Sequence, residues 1–267
     1  MKMENLIRSI ASDFADEALE ELLLRSRDKV DKALKRIQRP QAAVGVVKSP
    51  LGNLLVAMTA RGIVLTHYLL DDSNVEQILA KLRLEFDPVE DHRTVGEVGE
   101  EVRRYLAGDG RALRRKVDLT LAGNAFQKKV LDRLQTIPRG AVVGYQALGA
   151  AVGSANSARA VGNALHNNPV PIYIPCHRVI SSDGRIGGYG GGATRKIQLL
   201  RSEGFAVDAA AGRIPDSVVW GHKGTKIYCR KSCRTAGHMD RARILFFAGP
   251  GPAERAGMHP CKICRPA

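Results

Sequence analysis

Between residues 4 and 37 the apolar positions Leu6, Ile7, Ile10, Phe14, Leu22, Val30, Leu34 and Ile37 recur at mostly helical intervals among charges, with no Gly or Pro to interrupt them. One long helix or a helical pair is predicted. Beyond Arg39-Pro40 the pattern becomes the short β-rich runs AAVGVV, GNLLVAMT and GIVLTHYLL, split by the turn signals Ser49-Pro50-Leu51-Gly52 and Arg61-Gly62. These predict a small antiparallel meander. Helical patterns over roughly 73–85 and 95–107 follow, the second closed by Gly108-Asp109-Gly110. Residues 41–119 therefore read as an α+β module with no evident chemistry. From Asn124 the pattern is helical: AFQKKVLDRLQTI stops before Pro138-Arg139-Gly140, and YQALGAAVG, a Ser/Asn turn and SARAVGNALHNN succeed it. Two short helices joined by a Gly-containing turn are a helix-turn-helix candidate, with 157–166 as the recognition-type helix.

Charge sharpens this division. The 267-residue chain carries 41 Lys+Arg against 27 Asp+Glu, a net +14. Residues 1–40 hold nine basic and eight acidic groups and residues 41–119 eleven and twelve, so the first 119 residues are nearly neutral. The excess lies in 120–206, with ten basic and three acidic, and in 207–267, with eleven and four. Both later segments are suited to a polyanion. The balanced N-terminal helix is expected to be a packing or dimerising appendage rather than a membrane binder. No run approaches the roughly 20 apolar residues of a membrane span, and acids occupy the stretch where a signal peptide is apolar. A soluble, monomeric cytoplasmic protein is expected.

The five cysteines are an odd number and disfavour a disulfide framework. Cys176 follows the apolar run PIYIP and precedes His177 and Arg178. A strand-like approach into a thiol backed by cationic neighbours is a setting that lowers its pKa and makes a nucleophile. Alone, such a cysteine is more often an inert core residue. The glycine load of GRIGGYGGG favours the functional reading, since it lets backbone approach a ligand. The other four thiols form two close pairs. Three residues separate Cys229 from Cys233 and two separate Cys261 from Cys264, with 27 between the pairs. That set fits a tetrahedral structural Zn²⁺ and leaves His222, His238 and His259 no necessary place among the ligands. No organic cofactor is expected.

The strings GAVVGYQALGAAVG, SARAVGNALHNNPVPIYIPCHRVI, GRIGGYGGG and KIQLLRSEGF, in this order and spacing, resemble the O6-alkylguanine-DNA alkyltransferases, or methylated-DNA–protein-cysteine methyltransferases. With the weaker match of the sheet module the resemblance spans about residues 42–206. It implies that Cys176 accepts the alkyl carbon from O6 of guanine, and of O4-alkylthymine as well, in an irreversible single turnover. It implies that His177, through a water, takes the thiol proton while Glu203 orients the ring, and that Tyr189 and Asn168 serve the pocket and the leaving group. A base inside duplex DNA cannot reach a pocketed sulfur, so the nucleotide must be extruded. By the resemblance Arg159 replaces it in the stack, Tyr145 crowds the adjacent phosphate, and the small residues Ala160, Gly162 and Ala164 let the helix approach the minor groove.

The segment TKIYCRKSC…ILFFAGPGPAERAGMHPCKICRP resembles the zinc-binding domain of the bacterial adaptive-response protein Ada. By that resemblance Cys229 would accept methyl groups from phosphotriesters. The elements before the first ligand are abbreviated, the domain follows rather than precedes the alkyltransferase segment, and no AraC-like module is visible. A structural, DNA-contacting zinc domain is therefore ranked above a second repair activity. The expected organisation is an α+β chain. A helical extension occupies 1–40, a small antiparallel sheet module 41–119, a helix-turn-helix catalytic domain 120–206 and a small four-cysteine zinc domain 213–267. The competing readings are a non-enzymatic sensor of alkylated DNA, disfavoured by Cys176, His177 and Glu203 occurring together, and a damage-responsive regulator, disfavoured by the missing second DNA-binding module.

Overall fold

The computed structural model describes residues 39–69 and 75–266, with Glu21 and residues 24–27 of the extension. Apart from those five helical positions, the helix expected over 4–37 lies outside the described residues. Residues 41–267 form one compact unit.

The three β-rich runs form strands β1 (Gln41–Ser49), β2 (Gly52–Thr59) and β3 (Gly62–Tyr68), an antiparallel meander as expected. Helix α1 (Val75–Leu82) then reverses the chain, so strand β4 (Asp87–Glu90) re-enters beside β1 and parallel to it. The sheet, ordered β3-β2-β1-β4, is thus mixed rather than wholly antiparallel. Asp91 caps helix α2 (His92–Leu106), its carboxylate accepting from the Thr94 N–H at 3.0 Å. Val95, Val98, Val102 and Tyr105 recur at helical spacing on the buried face of α2 and join Val47, Leu54 and Val56 of the sheet in the main core.

Asn124 caps helix α3 (Ala125–Gln135), accepting from the Gln127 N–H at 2.8 Å. After Pro138-Arg139-Gly140 a four-residue strand, β5 (Ala141–Gly144), runs directly into helix α4 (Tyr145–Ala151). The sequence pattern passed over this strand because it is so short. A turn containing Asn156 in the left-handed region (φ 63°) leads to helix α5 (Ala158–His166), so the helix-turn-helix forms where it was predicted. Strand β6 (Val179–Ile180) and helix α6 (Ala193–Ser202) complete this segment.

The C-terminal segment supplies β7 (Val219–His222), β8 (Ile227–Arg230), β9 (Ile244–Phe247), helix α7 (Pro250–Arg255) and β10 (His259–Pro260). These strands join those of the preceding segment in one sheet, ordered β10-β8-β7-β9-β5-β6, through the antiparallel pairing of Ala141 with Phe247 and Val142 with Phe246. The main core likewise runs without a break from Leu54 and Val56 in the first sheet, through Val130, Leu134 and Val143, to Phe247 and Met258. Among the described residues no helix is long and apolar enough to cross a membrane.

Candidate active site and metal centre

The PIYIP run is not the strand expected of it. Pro171–Ile174 form a tight turn, and Cys176–Arg178 a single 3-10 turn ahead of β6. Ile172 sits at φ 78°, a conformation a β-branched residue adopts only when its surroundings impose it. Those surroundings include the first sheet: the Thr66 N–H donates to the Pro169 carbonyl at 2.9 Å and the Thr66 hydroxyl to the Pro171 carbonyl at 2.7 Å. Asn168 closes the turn from within. Its amide donates to the Ile174 carbonyl at 3.1 Å and to the Cys176 sulfur at 3.2 Å, while its Oδ1 accepts from the Val170 N–H at 3.0 Å.

Cys176 is buried, and burial pushes its thiol above the ordinary value near 9, the Asn168 bond and the Lys196 ammonium opposing this without prevailing. The expectation of a depressed thiol pKa is therefore corrected. The cation next in sequence, Arg178, turns away from the sulfur, and its Nε donates to both Glu203 oxygens at 3.1 and 3.0 Å. A protonated thiol needs a base, and His177 is one: burial lowers its pKa, against the pull of Glu203, so the ring is neutral at rest. His177 Nε2 and Glu203 Oε1 lie 2.7 Å apart. The other ring nitrogen, Nδ1, is buried with no hydrogen-bond partner among the described residues. Burial alone would raise Glu203, but His177, Arg178 and Tyr105 together draw its pKa down to about 2.

Glu203 is mounted from four directions. Besides His177 and Arg178, the Tyr105 hydroxyl donates to Oε1 and the Gly140 N–H to Oε2 at 3.1 Å. Arg178 in turn donates to the Tyr105 hydroxyl at 3.0 Å and to the Ile137 carbonyl at 2.5 Å. The Gly140 carbonyl accepts from the Ala248 N–H of the C-terminal segment at 3.1 Å. Tyr189 pairs edge-on with Tyr68, ring centroids 6.0 Å apart and hydroxyl oxygens 2.8 Å apart. Burial raises the pKa of both phenols, so both hydroxyls stay protonated and one donates to the other. Gly191 makes the pair possible, because a Cβ there would lie 2.5 Å from the Tyr68 ring. Tyr145, half-buried at the start of α4, feels the Cys176 sulfur as Tyr68 and Tyr189 do.

Cys176, His177, Glu203, Asn168, Tyr189 and Tyr145 are thus brought to one site. Arg159 and Ala160 instead stand exposed on α5, and Gly162 is half-exposed beside them. The Arg159 side chain makes no hydrogen bond or ion pair among the described residues. Sequence reasoning missed three participants. Tyr68 and Tyr105 come from the module read as lacking chemistry, where a strand-end and a helix-face tyrosine look like ordinary core. Lys196 is fully buried and donates to the Val179 carbonyl at 2.7 Å and the Gly188 carbonyl at 3.2 Å, its pKa lowered by burial to about 8. A lysine on the buried side of α6 was the signal available for it.

In the C-terminal segment the sulfurs of Cys229, Cys233, Cys261 and Cys264 all lie within 4.8 Å of one another. Four thiolates about 2.3 Å from a tetrahedral Zn²⁺ are about 3.8 Å apart, so the set fits the ion without rearranging the fold. No histidine belongs to this cluster among the described residues.

Two family models match the chain: "6-O-methylguanine DNA methyltransferase, DNA binding domain" over residues 125–205, and "Metal binding domain of Ada" over 206–267. The methylated-DNA–protein-cysteine methyltransferase of Mycolicibacterium paratuberculosis is 36% identical over 157 residues, which are 59% of this chain and 89% of that protein. The chain belongs to the methylated-DNA–protein-cysteine methyltransferase family. The bifunctional transcriptional activator/DNA repair enzyme Ada of Escherichia coli is 38% identical over 154 residues, 57% of this chain and 43% of that protein. A crystal structure of a Mycobacterium tuberculosis OGT variant superposes with a TM-score of 0.50 at 32% identity, covering 61% of this chain and 92% of that one. The first family model thus spans the helix-turn-helix segment, and the Ada domain the cysteine quartet.

Proposed function

We propose that this DNA repair methyltransferase moves the alkyl group from O6 of guanine, and from O4 of thymine, onto the Cys176 sulfur. The observation that carries this reading is a buried thiol, held by Asn168 at 3.2 Å, in the same site as a neutral His177 backed by Glu203 at 2.7 Å. The thiol proton passes to His177 Nδ1, the ring nitrogen with no protein partner among the described residues, by way of a water; Glu203 stabilises the imidazolium that results. The sulfur attacks the alkyl carbon in line, the carbon–O6 bond breaks, and its electron pair leaves with the guanine. Tyr189, held protonated, donates to the departing base. The product is a thioether at Cys176, which nothing in the site can cleave, so each molecule acts once.

The extruded nucleotide requires a flipping surface. Arg159, exposed and uncommitted among the described residues, is suited to fill the vacated stack, with Ala160 and Gly162 allowing backbone approach and Tyr145 meeting the flanking phosphate. Residues 213–267 act as a structural zinc domain, with Cys229, Cys233, Cys261 and Cys264 as the ligands. The complete burial of Cys229 supports this over a phosphotriester-acceptor role, since an acceptor sulfur must be approached by a backbone phosphate. Intact-mass and peptide mapping after reaction with a duplex carrying O6-methylguanine tests the assignment: one methyl on the Cys176 peptide is expected, and an unmodified Cys176 sinks it. Duplex carrying methylphosphotriesters should leave Cys229 unmodified.

A further inference from the structure

A second concavity lies beside the Cys176 site and shares Tyr145 with it. It is a groove of about 810 Å³ whose first wall is the helix-turn-helix, with Tyr145, Ala158 and Gly162. Its second wall is the C-terminal segment, with Ile214, Trp220 and Phe246, and Arg213 and Lys231 at its edges. Trp220 and Phe246 meet edge to face with centroids 5.3 Å apart, and both remain partly exposed toward the groove.

We infer that this groove holds a strand of the DNA flanking the extruded nucleotide, so that the zinc module forms the second wall of the nucleic-acid path. The inference rests on the proposed function and extends it to the C-terminal segment.

Three observations carry the choice of occupant. The groove is continuous with the small-residue side of α5, for Ala158 and Gly162 line it while Arg159 and Ala160 stand exposed on the same helix. Both walls come from segments rich in positive charge, ten basic to three acidic residues in 120–206 and eleven to four in 207–267. The two lining acids are each met by a cation, Asp216 by Lys231 at 2.5 Å and Asp183 by Arg185 at 3.4 Å, and Arg213 adds a further positive charge. An aromatic face inside a basic cleft is the arrangement that binds single strands, phosphates to the cations and bases or sugars to the rings. The volume also suits a nucleotide segment rather than a single ion.

Trp220 is the only tryptophan of the chain, so its fluorescence reports the groove directly. The full-length, zinc-loaded protein is titrated with an undamaged duplex, binding being followed independently by anisotropy of a label on the DNA. We expect Trp220 emission to change, and its quenching by acrylamide to fall, in step with binding. Arg213→Ala with Lys231→Ala should weaken binding about tenfold and lower the slope of log affinity against log salt by about two. Alkyl transfer at saturating DNA should persist in that variant, because neither residue touches the Cys176 site.

Saturated DNA binding with unchanged Trp220 emission and quenching overturns the inference. So does wild-type affinity and salt slope in a double variant whose melting temperature is unchanged, or protection of Trp220 by self-association in sedimentation without DNA. Peptide mapping of Cys176 after a parallel incubation of the same protein with a duplex carrying O6-methylguanine separates this outcome from a failure of the proposed repair reaction, which would leave Cys176 unmodified there whatever Trp220 reports.

Discussion

Tyr105→Phe removes one oxygen from a residue that contacts Glu203 and Arg178 rather than the reacting sulfur, and it tests how the general base is held. The hydroxyl donates to Glu203 Oε1 and accepts from Arg178 at 3.0 Å, both within the buried mount. The substitution deprives a carboxylate and a guanidinium of a partner where water cannot replace it. Bonds to charged groups contribute about 1.5–3 kcal/mol each, and Glu203 keeps three other donors, so a net loss of about 2–3 kcal/mol is expected. For a chain of this size that lowers the melting temperature by roughly 4–10 °C. The loss should also depend on pH. Glu203 is held at about 2 against its ordinary 4.5, worth about 3 kcal/mol of stability that is present above pH 4.5 and disappears as pH falls toward 2. Losing a donor moves that pKa upward, so the stability difference between wild type and variant should be largest near neutrality and shrink in acid. Urea unfolding from pH 7 to pH 3 measures this, and single-turnover transfer to Cys176 should slow about fivefold, or about 1 kcal/mol. A variant with wild-type stability at neutral pH and an unchanged rate would show that Glu203 is not mounted through Tyr105. A stability difference that stays constant down to pH 3 would show that the carboxylate's charge is not what the hydroxyl supports.

Three further outcomes follow from the same geometry. Because burial keeps the His177 ring neutral below its ordinary 6.5 and the Cys176 thiol protonated above its ordinary 9, the single-turnover rate should be flat between those values; a steep rise across pH 7–8 would indicate a free thiolate mechanism instead. Gly191→Ala places a methyl 2.5 Å from the Tyr68 ring and should cost about 1–3 kcal/mol in thermal unfolding while slowing transfer; unchanged melting would mean the ring pair relaxes freely. Zinc removal by a chelator, or Cys261→Ser, should unfold the C-terminal segment and strip β5 of its β9 partner, so amide exchange across 140–144 should accelerate; unaltered exchange there would show that β5 does not depend on the zinc module.

The amino-acid order by itself determined the elements whose physics is local. β-rich runs and turn residues marked the meander at β1 to β3, helical patterns and their Gly and Pro stops marked α2, α3 and the helix-turn-helix, and the paired spacing of four cysteines marked a metal site. Its resemblance to the alkyltransferases also singled out Cys176, His177 and Glu203. Tertiary structure alone decided the protonation logic. Arg178, adjacent in sequence to the Cys176–His177 pair, points to Glu203, and burial rather than neighbouring charge sets the thiol. It alone brought Tyr68 and Tyr105 to the site across 121 and 98 residues of chain, and bent PIYIP into a turn. It alone joined the zinc segment to β5. Strand pairing between distant segments and the solvation of a buried group depend on what the rest of the chain packs against them, and no local pattern carries that information.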